Sequence, residues 1–145
     1  MNENEIEIKR LGTGDEDLLW TVIAVFEGAQ GTAAHLSKVL ADDSNIVIVA
    51  HYGGEPAGFL LAHRLRRIKD PSNKIFLYDI EVAGLHRRKG VGRALVSHLL
   101  EVAKRERSKT VFVFTNHDFK GAPDFYDATG AEMEGDSELL YVYRL

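Results

Sequence analysis

The spacing of apolar positions changes along the chain between the two-residue period of a strand and the longer period of a helix. Residues 5–11, EIEIKRL, alternate as an edge strand does. A capping box, Thr13-x-x-Glu16, precedes apolar residues that share one helical face: Leu18, Leu19, Val22, Ile23 and Phe26. The pattern therefore predicts a strand and then a helix ended by Gly28, with a short second helix after Thr32.

Three further strands are predicted in the middle of the chain. Residues 45–65 contain two apolar runs around Gly53-Gly54, which is a strong hairpin signal. A turn at residues 70–73, DPSN, leads into a third apolar run at residues 74–82, KIFLYDIEV. This run alternates up to its end, where charged residues begin.

The second half of the chain predicts a helix from about Lys89 to Arg105, a short strand at residues 110–115 and a small helix between Pro123 and Gly130. Residues 131–145 read as a final hairpin. The order is strand, helix, helix, three strands, helix, strand, helix, two strands. We therefore expect one α/β domain of the α+β type, residues 1–145, built on a single continuous mixed sheet.

Composition excludes several classes of function. Lys and Arg number 18 against 22 Asp and Glu, a formal charge of −4, so general affinity for nucleic acid is not expected. The chain has no cysteine, which excludes disulfides and cysteine acyl-enzymes and favours a reducing cytoplasm. The N-terminus is polar, and no apolar run approaches the roughly 18–20 residues of a membrane span. We expect a cytoplasmic protein without a membrane or nucleic-acid partner.

Basic residues are concentrated where the strand at residues 74–82 gives way to the long helix. The run HRRKGVGR, residues 86–93, combines five basic or imidazole side chains with Gly90 and Gly92. Unpaired amide groups and the helix dipole make such a corner attractive to a phosphate. The pattern lacks the third glycine of a dinucleotide fingerprint and the Gly-Lys-Ser/Thr of a P-loop. A pyrophosphate is the expected ligand.

Three stretches taken together, FLYDIEV, HRRKGVGRAL and TVFVFTNHDFKGAPDFYDATGA, resemble the GNAT superfamily of N-acetyltransferases. The resemblance implies a mixed, mostly antiparallel sheet with splayed central strands and about four flanking helices, and acetyl-CoA as co-substrate. It implies that the pantetheine arm pairs with Ile80, Glu81 and Val82, and that Asn116 contacts the cofactor. The pyrophosphate would then be held by the corner residues: Arg87, Arg88, Lys89, Gly90, Val91, Gly92 and Arg93.

The same resemblance implies catalytic roles. Because no cysteine is present, direct transfer in a ternary complex is the simpler course. Tyr126 matches the family tyrosine near the thioester sulfur and is assigned as general acid. Asp79 would deprotonate the amine, directly or through a water, or only orient it. Glu81 is its rival, because strand alternation places both carboxylates on one face, and a main-chain N–H near Ile80–Val82 would meet the thioester oxygen.

Within the superfamily, the chain is most similar to the small aminoglycoside 3-N-acetyltransferases. The acceptor would be a polycationic amine bound by Tyr78, Asp79, Glu81, Asp118 and Asp124. An acidic C-terminal stretch would extend this patch: Glu132, Glu134, Asp136 and Glu138. Two segments depart from those relatives, a short connection at residues 27–35 and Lys120 where they favour paired aspartates.

Several alternatives stay open at this point. The acceptor is an aminoglycoside or another amine, such as a polyamine, an amino-acid derivative or a protein N-terminus. A non-catalytic acyl-CoA-binding module is the alternative from another class. The histidines lack metal-ligand spacing, so no metal is expected. The apolar stretch at residues 139–145 is a candidate homodimer edge.

Overall fold

The computed structural model describes residues 5–115, 121–135 and 140–145. Its elements in chain order are β1 Ile6–Leu11, α1 Glu16–Ile23, α2 Ala33–Ala41, β2 Asn45–Tyr52, β3 Glu55–Arg66, β4 Asn73–Val82, a 3-10 turn Gly84–His86, α3 Val91–Arg105, β5 Val111–Phe112 and α4 Ala122–Ala128. The strands form one sheet in the order β1-β2-β3-β4-β5. Neighbours are antiparallel except β4 and β5, which are parallel. The expected mixed, mostly antiparallel sheet with four helices is confirmed.

Both faces of the central strands are buried, as the continuous apolar run of β2 requires. Val47 and Val49 pack with α1 and α2, in a cluster that includes Leu19, Val22 and Leu36. Alternation places Ile46 and Ile48 on the opposite face, where α3 packs on the sheet. The sheet is therefore the middle layer between α1 and α2 on one side and α3 on the other.

Close packing between α3 and the sheet depends on Gly58 of β3. A Cβ atom at this position would lie 2.8 Å from the carbonyl oxygen of Glu81 and 3.3 Å from side-chain atoms of Leu95 and Val91. Glycine thus allows the end of β4 and the start of α3 to meet over β3.

Two predicted helix starts differ from the structure. The helix expected to be capped by Thr13 has Asp15 as its N-cap and begins at Glu16, without a capping hydrogen bond from the Asp15 side chain. The Asp15 carboxylate instead accepts a hydrogen bond from the amide of Gly12, 2.9 Å away, and closes a turn before the helix. The long helix begins at Val91 rather than near Lys89, because Gly90 is left-handed with φ +88°.

The last predicted elements also differ. Only Val111 and Phe112 of the run at residues 110–115 form a strand. The described residues of the predicted final hairpin, 131–135 and 140–145, contain no strand, and residues 136–139 lie outside the described part. Alternation marks a segment that is able to pair, whereas a strand also needs a partner with free backbone groups.

The chain divides into two compact units, Met1–Phe114 and Thr115–Leu145. The first contains the whole sheet with α1, α2 and α3, and the second contains α4. Pro123 lies in the first turn of α4, and Gly130 has a φ of +92° after its end, as predicted. In the described ranges, no helix combines the length and apolar content needed to cross a bilayer.

Candidate active site

The site begins where β4 and β5 separate. The two parallel strands pair only at Ile75–Val111 and Phe76–Phe112. Among the described residues, β4 therefore has no β5 partner from Leu77 to Val82, while its other edge remains paired with β3. Backbone groups along a free strand edge are available to an extended ligand, which binds as an added strand would. The structure thus contains the splayed central strands that the sequence led us to expect.

A β-bulge in β4 aims the side chains beside this opening. Leu61 of β3 opposes Asp79 and Ala62 opposes Leu77, which leaves Tyr78 as an extra residue. Glu81 opposes Phe59, two residues from Leu61, so Asp79 and Glu81 lie on the same face of the sheet, as predicted. This face also carries the cluster formed with α1 and α2.

The surroundings of the two carboxylates favour their protonated forms. Partial burial raises the pKa of Asp79, while a hydrogen bond from the Ile80 amide opposes that rise. Burial likewise raises the pKa of Glu81, the charge of Asp79 raises it further, and Arg87 lowers it. Carboxyl groups with raised pKa values beside an open strand edge are suited to accepting a proton from a bound amine.

The basic corner follows β4 directly. The chain makes the 3-10 turn Gly84–His86, and Arg88 and Gly90 adopt left-handed backbone conformations with φ of 61° and 88°. The first α-helical hydrogen bond of α3 runs from the Ala94 amide to the Gly90 carbonyl, at 3.0 Å. Amide groups in a first helical turn have no acceptor within the helix, so this corner offers donors and a positive dipole to an anion.

Neighbouring groups hold the corner in place. The Arg87 Nε donates to the Val82 carbonyl oxygen at 3.3 Å. The Lys89 Nζ lies 4.7 Å from the centre of the Tyr52 ring, a cation–π contact with the end of β2. His86 is buried, with Nε2 3.3 Å from the Glu55 carboxylate. His86 is therefore part of the support under the corner, while Arg88 stays exposed to a ligand.

A cavity of about 540 Å³ connects the strand edge with the basic corner. Its lining comprises residues 25–27, residues 80–84 and Arg87. Ile80, Glu81, Val82 and Arg87 were predicted to bind the cofactor. Val25, Phe26 and Glu27 were not, because they follow α1 in sequence and meet β4 only in the folded chain.

Val91, Gly92 and Arg93 form the first turn of α3. The other predicted residues lie in the second unit or outside the described residues. Tyr126 and Asp124 belong to α4, and burial raises the pKa of the Tyr126 hydroxyl. Asn116 and Asp118 fall outside the described residues. In the described ranges, no three His, Asp or Glu side chains form a group able to hold a metal ion.

Sequence reasoning missed a set of aromatic residues around Tyr78. Phe76 and His63 contact the Tyr78 ring, and Phe112 and Phe114 pack against Phe76. The available signal was the two-residue spacing of Phe112 and Phe114, which places both rings on one face of a strand.

Comparison with known proteins agrees with this geometry. An aminoglycoside acetyltransferase from an uncultured soil metagenomic sample, in complex with sisomicin, has a TM-score of 0.85 and 24% identity, covering 97% of this chain and 96% of that one. AAC(6')-Iy, in complex with the bisubstrate analogue CoA-S-monomethyl-acetylneamine, has a TM-score of 0.78 and 19% identity, covering 97% and 99%. These likenesses establish the fold.

The sequence comparisons establish the family. Mouse (Mus musculus) N-acetyltransferase family 8 member 3 is 28% identical over 109 residues, which are 73% of this chain and 47% of that protein. The chain thus spans about half the length of the mouse protein. The model of the acetyltransferase (GNAT) family matches residues 16–131, which include β4, the basic corner and α4. The chain therefore belongs to the GNAT family of acetyltransferases.

Proposed function

We propose that the protein transfers an acetyl group from acetyl-CoA to an amine, directly and within a ternary complex. The observation that carries this proposal is the free edge of β4, which starts after Phe76 and ends at the basic corner of α3. An acyl-pantetheine arm has amide groups that pair with a strand edge, and it ends in a pyrophosphate. The strand edge is suited to the pantetheine arm and the basic corner to the pyrophosphate, and the two parts of the site follow one another in the same order as in the donor.

The donor would be held mainly by main-chain groups. Ile80, Glu81 and Val82 offer the free strand edge, and the cavity beside them has room for the arm. The pyrophosphate would bind at Arg87–Arg93, where Gly90 permits the left-handed turn and Arg88 adds charge. Asn116 is proposed as a further contact from its match to the family pattern.

The chemistry requires that the amine nitrogen lose two protons and that the departing thiolate gain one. The ammonium group loses a proton to Asp79, directly or through a water, with Glu81 as the second carboxylate on the same face. The amine nitrogen then attacks the thioester carbon and a C–N bond forms; the C–S bond breaks as the nitrogen loses its second proton to solvent. A main-chain N–H near Ile80–Val82 would stabilise the developing oxyanion. Tyr126 would give its hydroxyl proton to the departing thiolate, and solvent would restore that proton.

An aminoglycoside acetylated at its 3-amino group is the proposed acceptor. The resemblance of residues 75–96 to the small 3-N-acetyltransferases supports it, as does the pair of carboxylates beside the opening. Two proteins of similar fold bind aminoglycosides or their analogues, namely sisomicin and an acetylneamine conjugate. Antibiotic resistance, a cytoplasmic location and a homodimeric state belong to the same proposal.

Thiol release from acetyl-CoA tests the function. Gentamicin, spermidine, lysine and a short peptide would each be added to the protein, with NMR of any product to locate the acetyl group. Turnover with gentamicin alone and acetylation at the 3-amino group would support the whole proposal. Turnover only with another amine would support the proposed acetyl transfer and reject an aminoglycoside as the acceptor. Acetyl-CoA binding without any product would favour a non-catalytic acyl-CoA-binding module.

A further inference from the structure

Five aromatic rings form a continuous row across β3, β4 and the β5 region. Phe76 and Phe112 are stacked, with centroids 5.1 Å apart and planes 7° apart. Phe114 meets each of them edge-on at 5.8 Å. Tyr78 lies 5.7 Å from Phe76 and 5.4 Å from His63. We call these five residues the aromatic row.

The aromatic row lies on the same face of the sheet as the two carboxylates. His63 opposes Phe76 and Leu61 opposes Asp79, and alternate residues of β3 share a face. The bulge adds Tyr78 to this face, directly beside Asp79. Along β4, the ring-bearing residues come first, the two carboxylates second and the basic corner last. An acceptor and the donor would therefore approach the carboxylates from opposite ends of the strand.

Part of the aromatic row is exposed. The accessible fraction is 63% for Tyr78 and 72% for Phe114. Contiguous apolar surface of this kind is typical of a binding surface. The face of an aromatic ring carries negative charge and attracts both cations and polarised C–H bonds. The adjoining carboxylates complement an ammonium group, so the surface combines a stacking area with an anionic anchor.

We propose that the aromatic row is the acceptor platform, and that it selects a primary ammonium group attached to a ring directly or through at most two carbon atoms. One face of that ring stacks on Tyr78 and Phe114 while the ammonium group meets Asp79. An amino sugar, through its C–H face, and an arylalkylamine both have this chemistry, whereas an acyclic polyamine does not. The inference rests on the proposed acetyl transfer and identifies its acceptor class.

The test compares three amines with the protein and two variants. Gentamicin represents the amino sugars, 2-phenylethylamine the arylalkylamines and spermidine the acyclic polyamines. Phe114→Ala removes an exposed ring of the row. Ile68→Ala is the matched control, because Ile68 is a fully exposed apolar residue in the loop between β3 and β4. Values of kcat/KM, the KM for acetyl-CoA and the melting temperature are measured for each.

We expect the unaltered protein to prefer a ring-bearing amine over spermidine. Phe114→Ala should lower kcat/KM for that amine about 10-fold, through KM, as expected for loss of an aromatic contact. The preference over spermidine should fall by the same factor, while the KM for acetyl-CoA and the melting temperature stay close to the original. Ile68→Ala should leave all values unchanged. Whether gentamicin or 2-phenylethylamine has the higher kcat/KM tells whether the natural acceptor is an amino sugar or an arylalkylamine.

Other outcomes would overturn the inference. An equal loss for spermidine and the ring amines would show that the row does not recognise rings. Unchanged kinetics, with a monomer–dimer equilibrium altered in sedimentation velocity, would make the row an interface between copies. If no amine is acetylated, the proposed function fails, and saturation-transfer NMR with the same amines tests the platform separately. Binding of a ring amine that Phe114→Ala weakens would then support it, and absence of binding would reject it.

Discussion

At the scale of single residues, Asp79 is the group on which the proposed chemistry depends most. Asp79→Asn should lower kcat by roughly 10²-fold or more if the carboxylate removes the amine proton. The KM for acetyl-CoA should change little, because in the proposed complex that substrate is held by the strand edge and the corner. In the unaltered protein, burial raises the pKa of Asp79, so activity should fall on the acid side at a pH above the ordinary aspartate range.

The measurement is kcat/KM against pH for the protein, Asp79→Asn and Glu81→Gln as the paired control. If Asp79→Asn keeps normal kinetics and Glu81→Gln loses the acid limb, the base is Glu81. Normal profiles for both would transfer the role to water.

The raised pKa of Asp79 also predicts a pH-dependent effect on stability. The folded state binds the Asp79 carboxyl proton more tightly than the unfolded state does. The stability gained from this binding is complete below the unfolded pKa and is lost as pH rises through the folded pKa. Asp79→Asn should therefore raise the melting temperature at pH 7. The gain should vanish below about pH 4, near the ordinary pKa of aspartate. Thermal melts across this range check it, and a lower melting temperature at pH 7 would contradict it.

Tyr126 can be tested independently of Asp79. Tyr126→Phe removes only the hydroxyl, and turnover should fall by roughly 10²-fold if that group protonates the thiolate. Because burial raises the pKa of the hydroxyl, it remains protonated at neutral pH and is able to act as an acid. Steady-state kinetics with a fast-reacting amine provide the measurement. An unchanged kcat with an unchanged melting temperature would leave Tyr126 without a catalytic role.

At the scale of elements, the contact between β3, β4 and α3 positions the site. Gly58→Ala would place a Cβ atom 2.8 Å from the Glu81 carbonyl, so β4 or α3 must shift. We expect a loss of about 1–3 kcal/mol of unfolding free energy, as for other overpacked sites, and a higher KM for acetyl-CoA. Denaturant unfolding measures the loss.

Gly12→Ala is the control for this substitution, because an added Cβ at Gly12 has no neighbour within 4 Å. It should leave stability unchanged or slightly higher. Equal effects of the two substitutions would show that the Gly58 contact is not specific.

Element boundaries also show where pattern reasoning succeeds. The second helix was predicted to start after Thr32 and does so, with the Thr32 side-chain oxygen accepting a hydrogen bond from the His35 amide at 3.1 Å. Thr13 fits the same local rule and fails, because Gly14 has a φ of +100° and Asp15 caps the helix. Local sequence rules identify residues able to cap a helix. Which of them caps α1 depends on the backbone conformation between β1 and α1.

At the scale of the whole molecule, a net-acidic protein has a basic corner, which is the proposed binding site for the pyrophosphate of an anionic substrate. The KM for acetyl-CoA should therefore rise several-fold between about 0.05 and 0.5 M KCl, because salt screens the attraction. Arg88→Asn should raise the KM at low salt and flatten its salt dependence. Asparagine tolerates the left-handed backbone found at Arg88.

Lys104→Gln is the control for the same loss of charge. Lys104 lies in the last turn of α3, about 20 Å from the start of a 15-residue helix. The Lys104→Gln substitution should leave the salt dependence of the KM for acetyl-CoA unchanged. Equal effects of Arg88→Asn and Lys104→Gln would indicate that total charge, rather than the corner, sets the KM.

The sequence by itself determined the alternation of β4, the positions of Asp79 and Glu81 on one face and the basic glycine turn before α3. These features depend on neighbours within a few residues, which periodicity and backbone preferences report. Only the tertiary structure decided that β5 leaves β4 after Phe76, that a bulge places Tyr78 beside Asp79 and that residues 25–27 line the cavity. Strand register and the meeting of distant segments depend on packing between parts of the chain far apart in sequence, which no local pattern specifies.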